Sequence, residues 1–215
     1  PLFMKGNFME NLMLRAEIYK QFSLMLNKPQ ESDWIDSEFI ASFCELFANL
    51  NLSSDCEESA LLETFNRMSF DDILLEYSRL FLGPFKVLVP PYGSCYLDEQ
   101  KQLNQESTIQ VEKYYSEFGL NISESFFDLP DHIVPELEFM HFLVFSEIEP
   151  EENSEKNSDE YRSAQKEFFF KYFFPFAGEF CSDIITKTTS EFYKSLAKIL
   201  VSFLHIEKDR LVVNQ

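Results

Sequence analysis

Residues 69–84, SFDDILLEYSRLFLGP, carry the start, body and end signals of one α-helix. Ser69 is followed three residues later by Asp72, which resembles a capping box with aspartate in place of the usual glutamate. Gly83 and Pro84 then predict where the helix ends. Between these signals, apolar residues recur at the spacing of one helical face: Leu74, Tyr77, Leu80 and Phe81.

The same periodicity recurs along most of the 215 residues and predicts an all-α protein. We expect a single-domain helical bundle over residues 1–215, with about eight or nine helices. A further helix is capped by Asp128 or Asp131 and runs to Val144. The other predicted helices lie at about 4–26, 36–50, 54–68, 105–118, 161–174, 176–187 and 191–207.

Composition agrees with a helical fold, because the chain has only 5 glycines but 25 phenylalanines. Few glycines leave few positions for tight hairpins or phosphate-cradling loops, so all-β and nucleotide-binding folds are disfavoured. No glycine precedes a lysine, which excludes a P-loop, and GxGxxG is also absent. Residues 168–176 form an aromatic run that places rings on all sides of a helix, which predicts that this helix is buried in the core.

Two segments interrupt the helical pattern. Residues 84–96 form one long apolar, proline-rich loop, and apolar loops of this kind either pack or bind something. Residues 147–160 contain seven acidic residues and one lysine, which predicts an exposed loop.

The net charge of the chain limits the kinds of molecule that it can bind. The chain has 18 lysines and arginines against 37 acidic residues, a net charge of −19, which opposes binding to nucleic acid or an anionic membrane. A basic peptide is favoured instead. No stretch approaches the ~20 apolar residues of a membrane span, so we expect no stable membrane insertion and a cytoplasmic location. The four cysteines form no CxxC pair, which disfavours a zinc ribbon.

Two of the three histidines are candidate functional residues. Glu138 and His141 have ExxH spacing, but a di-iron bundle needs that motif twice, so a structural role is favoured for His141. His132 follows Asp131 at a predicted helix start. Its spacing allows either a helix cap with a solvent-facing ring or a contact to a ligand.

Four stretches in this order resemble the redox-enzyme maturation chaperones of the TorD/DmsD/NarJ type. The first is EYSRLFLGP at residues 76–84, and the second is PPYGSCYLD at 90–98. The third is LPDHIVPELEFM at 129–140, and the fourth is FFPF at 173–176, followed by further aromatic residues. The resemblance covers about residues 70–205.

This resemblance implies a non-enzymatic, all-helical cytoplasmic chaperone that needs no cofactor or metal of its own. Such chaperones bind the twin-arginine signal peptide, or the apo form, of a molybdenum-cofactor oxidoreductase subunit until the cofactor is inserted, before export. They occur as monomers or helix-exchanged dimers.

The resemblance also implies a peptide-binding site, in which His132 has a functional role. The signal peptide's apolar part would lie against Leu80, Phe81, Phe85 and Tyr92, and its arginines would pair with carboxylates. The full set of expected site residues is Tyr77, Leu80, Phe81, Phe85, Pro91, Tyr92, Ser94, Asp131, His132, Glu136 and Glu138.

Two other functions are compatible with the residues. One is a helical adaptor that uses the acidic segment or the aromatic run without binding a signal peptide. The other is a metal- or nucleotide-dependent enzyme built around His132, Glu138 and His141, against which the missing phosphate and metal motifs argue.

Overall fold

The computed structural model describes residues 2–31, 35–50, 55–83, 86–123, 126–148, 150 and 156–213, and these ranges contain α-helices but no β-strand. This confirms the all-α prediction. The helices are α1 (Leu2–Leu26), α2 (Ser37–Asn49), α3 (Asp55–Phe65), α4 (Phe70–Tyr77), α5 (Ser94–Leu97), α6 (Glu106–Glu117), α7 (Ile133–Ile148), α8 (Ser158–Phe168), α9 (Phe174–Lys187) and α10 (Glu191–Val213).

Two π-helical turns lengthen these elements. Ser78–Leu82 continues α4, and Phe169–Phe173 joins α8 to α9 without a break. The sequence predicted a break near Pro175. Instead, the N–H of Phe174 bonds to the carbonyl of Phe169, and this π turn carries the helix past Pro175, which has no N–H to donate. With α8 and α9 joined, the described ranges contain nine continuous helices, within the predicted eight or nine.

Local signals set most helix ends. Ser69 and Asp72 form the predicted capping box at the start of α4. Gly83 ends the π turn with φ +59°, and Gly119 follows α6 with φ +73°, both in the region that glycine favours.

The acidic segment 147–160 is not entirely a loop, which corrects the prediction. Glu147 belongs to α7 and is buried, and its carboxylate accepts hydrogen bonds from Arg162 and Gln165 of α8. At the other end, Asn157 and Glu160 form a capping box that starts α8. Residues 149 and 151–155, which carry most of the acidic charge, lie outside the described residues.

Aromatic side chains dominate the core. In α1, Tyr19 meets Phe173 and Phe203 edge-on, with centroid distances of 5.9 and 4.9 Å. Most of the aromatic run 168–176 is buried, as its sequence predicted. The fully buried rings include Phe22, Phe43, Phe168, Phe169, Phe173, Phe176, Phe180, Phe192, Tyr193 and Phe203. None of the described helices is long and apolar enough to cross a membrane.

The described part of the proline-rich loop packs against the bundle. The N–H groups of Leu88 and Val89 both bond to the carbonyl of Leu80, at 3.1 and 2.9 Å, and Val89 is fully buried. The loop then turns into α5, which rests on α9. Pro84 and Phe85 lie outside the described residues.

Candidate functional site

The proline-rich loop and the start of α7 meet in a junction formed by residues 90–97 and 129–136. The N–H of Gly93 bonds to the carbonyl of Asp131 at 2.7 Å, and that of Ile133 to the carbonyl of Pro91 at 2.8 Å. These two bonds form an isolated antiparallel bridge between Tyr92 and His132. The second and third family-like motifs are therefore joined through their backbones.

Asp131 and His132 cap different helices. The Asp131 carboxylate accepts a bond from the Ser94 N–H at 2.7 Å, so it caps α5. The sequence had predicted that Asp128 or Asp131 would cap α7, and the structure corrects this prediction. His132 caps α7, since its Nδ1 accepts a bond from the Val134 N–H at 3.1 Å. An accepting Nδ1 places the proton of the neutral ring on Nε2.

The His132 ring is buried between two aromatic rings. Its centroid lies 5.4 Å from that of Tyr92 and 5.6 Å from that of Phe126, both edge-on. Burial lowers the pKa of His132 to about 4, against the opposing charges of Asp128 and Asp131. At neutral pH this side chain is therefore an uncharged ring that holds the junction together.

Beneath the junction lies a pair of fully buried acidic side chains, Asp131 and Glu136. Among the described residues, neither oxygen of Glu136 nor Oδ1 of Asp131 has a hydrogen-bond partner. Burial and the Asp131 charge raise the pKa of Glu136 well above its usual range. The backbone of Gly93 lies close to the Glu136 carboxyl group, and a Cβ at this position would lie only 3.1 Å from Oε1 of Glu136.

Most of the predicted site residues lie inside the protein. Tyr92 is half-buried and Glu138 is exposed, whereas Phe85 lies outside the described residues. The other eight are buried: Tyr77, Leu80, Phe81, Pro91, Ser94, Asp131, His132 and Glu136. Phe81, for example, stacks on Phe180 at 5.7 Å in the core. In this structure, these eight residues belong to the core or to the junction and do not form an open binding surface.

The charged residues of the first motif also have structural partners. Glu76 accepts bonds from Arg79, from the Thr188 hydroxyl at 2.7 Å and from the Thr189 N–H at 2.8 Å. Arg79 in turn donates to the carbonyl of Lys187 at 2.8 Å. Burial opposes ionisation, yet these hydrogen bonds lower the pKa of Glu76 to about 2. The pair therefore fastens α4 to the α9–α10 connection.

An open apolar cleft of about 420 Å³ lies beside the junction, between α6, the loop after it and α7. Of the residues that line this cleft, only Glu138 was predicted as a site residue from the sequence, although positions 135, 138, 139 and 142 share one helical face of α7. The cleft is lined by Tyr115, Leu120, Asn121, Ile122, Ser123, Phe126, Pro135, Glu138, Phe139 and Phe142.

Glu138 gives the cleft its negative charge. It forms no ion pair with any residue in the described ranges, and partial burial raises the pKa of its carboxyl against the influence of His141. Phe127, which follows the cleft residue Phe126, is 94% exposed. An apolar cleft with one partly desolvated carboxylate suits a ligand that is both cationic and apolar.

The residues of the alternative metal site have other roles. His141 Nδ1 contacts the carbonyl of Ala16 at 2.8 Å, which fastens α7 to α1. Within the described ranges, no group of three or more His, Cys, Asp or Glu residues is arranged to hold a metal ion.

Comparisons with known proteins relate the chain to a family of assembly factors. The profile of the family described as nitrate reductase delta subunit matches residues 49–182. A chaperone protein TorD from Vibrio parahaemolyticus serotype O3:K6 (strain RIMD 2210633) is 25% identical over 205 residues, which cover 92% of this chain and 94% of that protein. The TorD protein of Vibrio atlanticus (strain LGP32) is 29% identical over 211 residues, with coverage of 92% and 94%.

Two further proteins that are similar to this chain also have names that refer to the assembly or maturation of redox enzymes. A perchlorate reductase assembly chaperone protein from Dechloromonas aromatica (strain RCB) is 26% identical over 145 residues, which cover 65% of this chain and 62% of that protein. The crystal structure of a candidate redox enzyme maturation protein from Archaeoglobus fulgidus superimposes with a TM-score of 0.55 at 25% identity, covering 89% of this chain and 93% of that one. The chain therefore belongs to the nitrate reductase delta subunit family, the TorD-type maturation chaperones.

Proposed function

We propose that this protein is a cytoplasmic chaperone for the precursor of a molybdenum-cofactor oxidoreductase. It binds the twin-arginine signal peptide of that precursor and holds the subunit until the cofactor has been inserted. Family membership and the names of the relatives, which include an assembly chaperone of perchlorate reductase, support a redox-enzyme client. Binding before export places the protein in the cytoplasm.

The observation that carries the proposal is the apolar cleft with Glu138 on its lining. A twin-arginine signal peptide has guanidinium groups next to an apolar stretch. The aromatic and aliphatic walls suit the apolar stretch, and the carboxylate of Glu138 suits a guanidinium. Because Glu138 is exposed and lacks an ion-pair partner among the described residues, its carboxylate is available to pair with an arginine.

The junction has a supporting role in this proposal. His132 packs against Phe126, which lines the cleft, and α7 begins at the junction and carries Glu138. The buried residues of the motifs thus position the cleft, and of the predicted site residues that the structure describes, Glu138 lines it. The net charge of −19 accelerates encounter with a basic peptide.

The test is a calorimetric titration with a synthetic twin-arginine signal peptide from a molybdoenzyme precursor encoded near this protein's gene. A peptide with two lysines in place of the arginines is the control. We expect saturable binding with micromolar or tighter affinity, weaker for the control because lysine cannot form the bidentate pair. No saturable binding to such peptides would contradict the proposal.

A pair of variants locates the site. Ile122→Ser places a polar group in the cleft wall, and we expect it to weaken peptide binding about tenfold. Leu75→Ser makes the same type of change at a residue of α4 that is 71% exposed, so it should leave affinity unchanged. Equal effects of the two substitutions would exclude this cleft as the binding site.

A further inference from the structure

A second cavity lies on a different part of the protein, between α1, α7, α8 and α10, with a volume of about 380 Å³. Among the residues that the structure describes, its lining contains four lysines and arginines but a single acidic residue, Glu147. The four cations are Arg15, Arg162, Lys166 and Arg210. In a protein with a net charge of −19, this concentration of positive charge requires an explanation.

Two of the four cations are neutralised within the fold. Arg15 is buried and donates to both carboxylate oxygens of Glu207, with a shortest distance of 2.7 Å. Arg162 donates to Glu147 at 2.8 Å, and Glu147 also accepts a bond from Gln165. Both cations therefore already have an acidic partner within the fold.

The other two cations are less fully neutralised: Arg210 shares Glu207 with Arg15, and Lys166 forms no ion pair with any residue in the described ranges. The guanidinium of Arg210 lies 3.7 Å from Glu207, whose oxygens already accept bonds from Arg15 and Tyr19. Neither Arg210 nor Lys166 donates a hydrogen bond to any residue in the described ranges. Burial lowers the pKa of Arg210, and the nearby Arg15 lowers it further against the attraction of Glu207. A negative charge in the cavity would relieve this crowding of cations.

We propose that this cavity binds an anion of the phosphate class, held by Arg210 and Lys166. Arginine and lysine are the usual donors to phosphate oxygens, and the arginine fork matches two of them at once. Because Arg210 stands on α10 and Lys166 on α8, the two donors approach from different helices. A tetrahedral phosphate has oxygens that face in several directions and so suits donors arranged around a cavity.

The anion has two possible sources: free inorganic phosphate, or a phosphate group on a small organic molecule that fills the remaining volume. Calorimetric titration with inorganic phosphate and with glycerol 3-phosphate, at constant ionic strength, distinguishes them. We expect saturable binding of at least one probe. The probe that binds more tightly identifies the source, and preference for glycerol 3-phosphate indicates that the rest of the cavity contributes.

Three lysine and arginine variants test the site itself. Arg210→Gln and Lys166→Gln should each weaken binding of the preferred probe at least about tenfold, the loss of one charge-assisted hydrogen bond. Lys113→Gln removes one positive charge from an exposed position on α6 and should leave the affinity unchanged. Circular dichroism verifies that each variant is folded, and Lys166→Gln provides the test if Arg210→Gln is not.

The outcomes separate a built site from general attraction. Loss of binding in the two cavity variants, with retention in Lys113→Gln, supports the proposal. Saturable binding of neither probe overturns it. Equal affinity in all variants also overturns it, because the anion would then be held by general charge and not by this cavity.

Discussion

Glu76 is a charged motif residue whose partners are all within the fold. It accepts bonds from Arg79, Thr188 and Thr189, with distances from 2.7 to 2.8 Å to the nearest atoms. Removing the charge by Glu76→Gln should destabilise the protein by about 2 kcal/mol at pH 7, the usual loss for hydrogen bonds to a charged group. Urea denaturation measures this change.

The matched control is Glu63→Gln, which removes an exposed ion pair between Glu63 and Arg67 and should cost less than about 0.5 kcal/mol. The effect of Glu76→Gln also depends on pH. Since the pKa of Glu76 is about 2 in the folded protein, its contribution is present above pH 4.5 and is lost as the pH falls toward 2. Equal costs for the two variants at pH 7 would contradict this role of Glu76.

Glu136 gives the opposite pH dependence. Its pKa is raised by burial and by Asp131, so the folded protein binds the proton more tightly than the unfolded chain. The stabilisation is full below about pH 4.5 and is lost as the pH rises, because the unfolded carboxyl ionises more readily. Glu136→Gln cannot ionise, so its stability relative to wild type should increase between pH 5 and pH 8.

This prediction is checked by urea denaturation of both proteins at several pH values. His132 contributes to the absolute pH dependence of each protein, but it is common to both and cancels in the difference. A difference in stability that does not change with pH would show that Glu136 ionises as freely in the folded protein as in the unfolded chain.

At the scale of the elements, the end of the first motif depends on the backbone of Gly83. Its φ is +59°, and a Cβ there would clash with the carbonyl oxygen of Lys86. Gly83→Ala should therefore destabilise the protein by at least about 2 kcal/mol, because the substitution introduces both backbone strain and a clash with the loop. Thermal denaturation measures the loss.

Gly119→Ala is the control for backbone strain alone. Gly119 has φ +73° but no atom within 4 Å of the added Cβ, so we expect a cost of about 1 kcal/mol. If the two alanine variants lose the same stability, the contact with Lys86 adds nothing to the cost of Gly83→Ala.

Helix boundaries show which features of the elements a sequence determines. The capping box of Ser69 and Asp72 is a local signal, and it was predicted correctly. The continuous passage through Pro175 was missed, because a π turn has no simple sequence signature. The cap of α7 was also assigned to the wrong residue, because Asp131 has a partner, Ser94, that is 37 residues away.

At the scale of the whole molecule, long-range pairing decides what the sequence alone cannot. Arg15 and Glu207 are 192 residues apart, yet they form the shortest buried ion pair in the described ranges. Likewise, nothing in the local pattern distinguishes buried Glu136 from exposed Glu138, two residues away on α7. The cleft itself combines one face of α7 with residues 120–126, whose position depends on the assembled bundle.

One set of calorimetric titrations tests whether Glu138 in the cleft recognises the arginines of a signal peptide. Twin-arginine and twin-lysine peptides are titrated into wild type, Glu138→Gln and the control Glu45→Gln, which removes an exposed charge on α2. We predict that Glu138→Gln weakens twin-arginine binding about tenfold and removes most of the preference over twin-lysine, while Glu45→Gln changes neither. An arginine preference in Glu138→Gln equal to that of Glu45→Gln would show that Glu138 does not recognise the arginines.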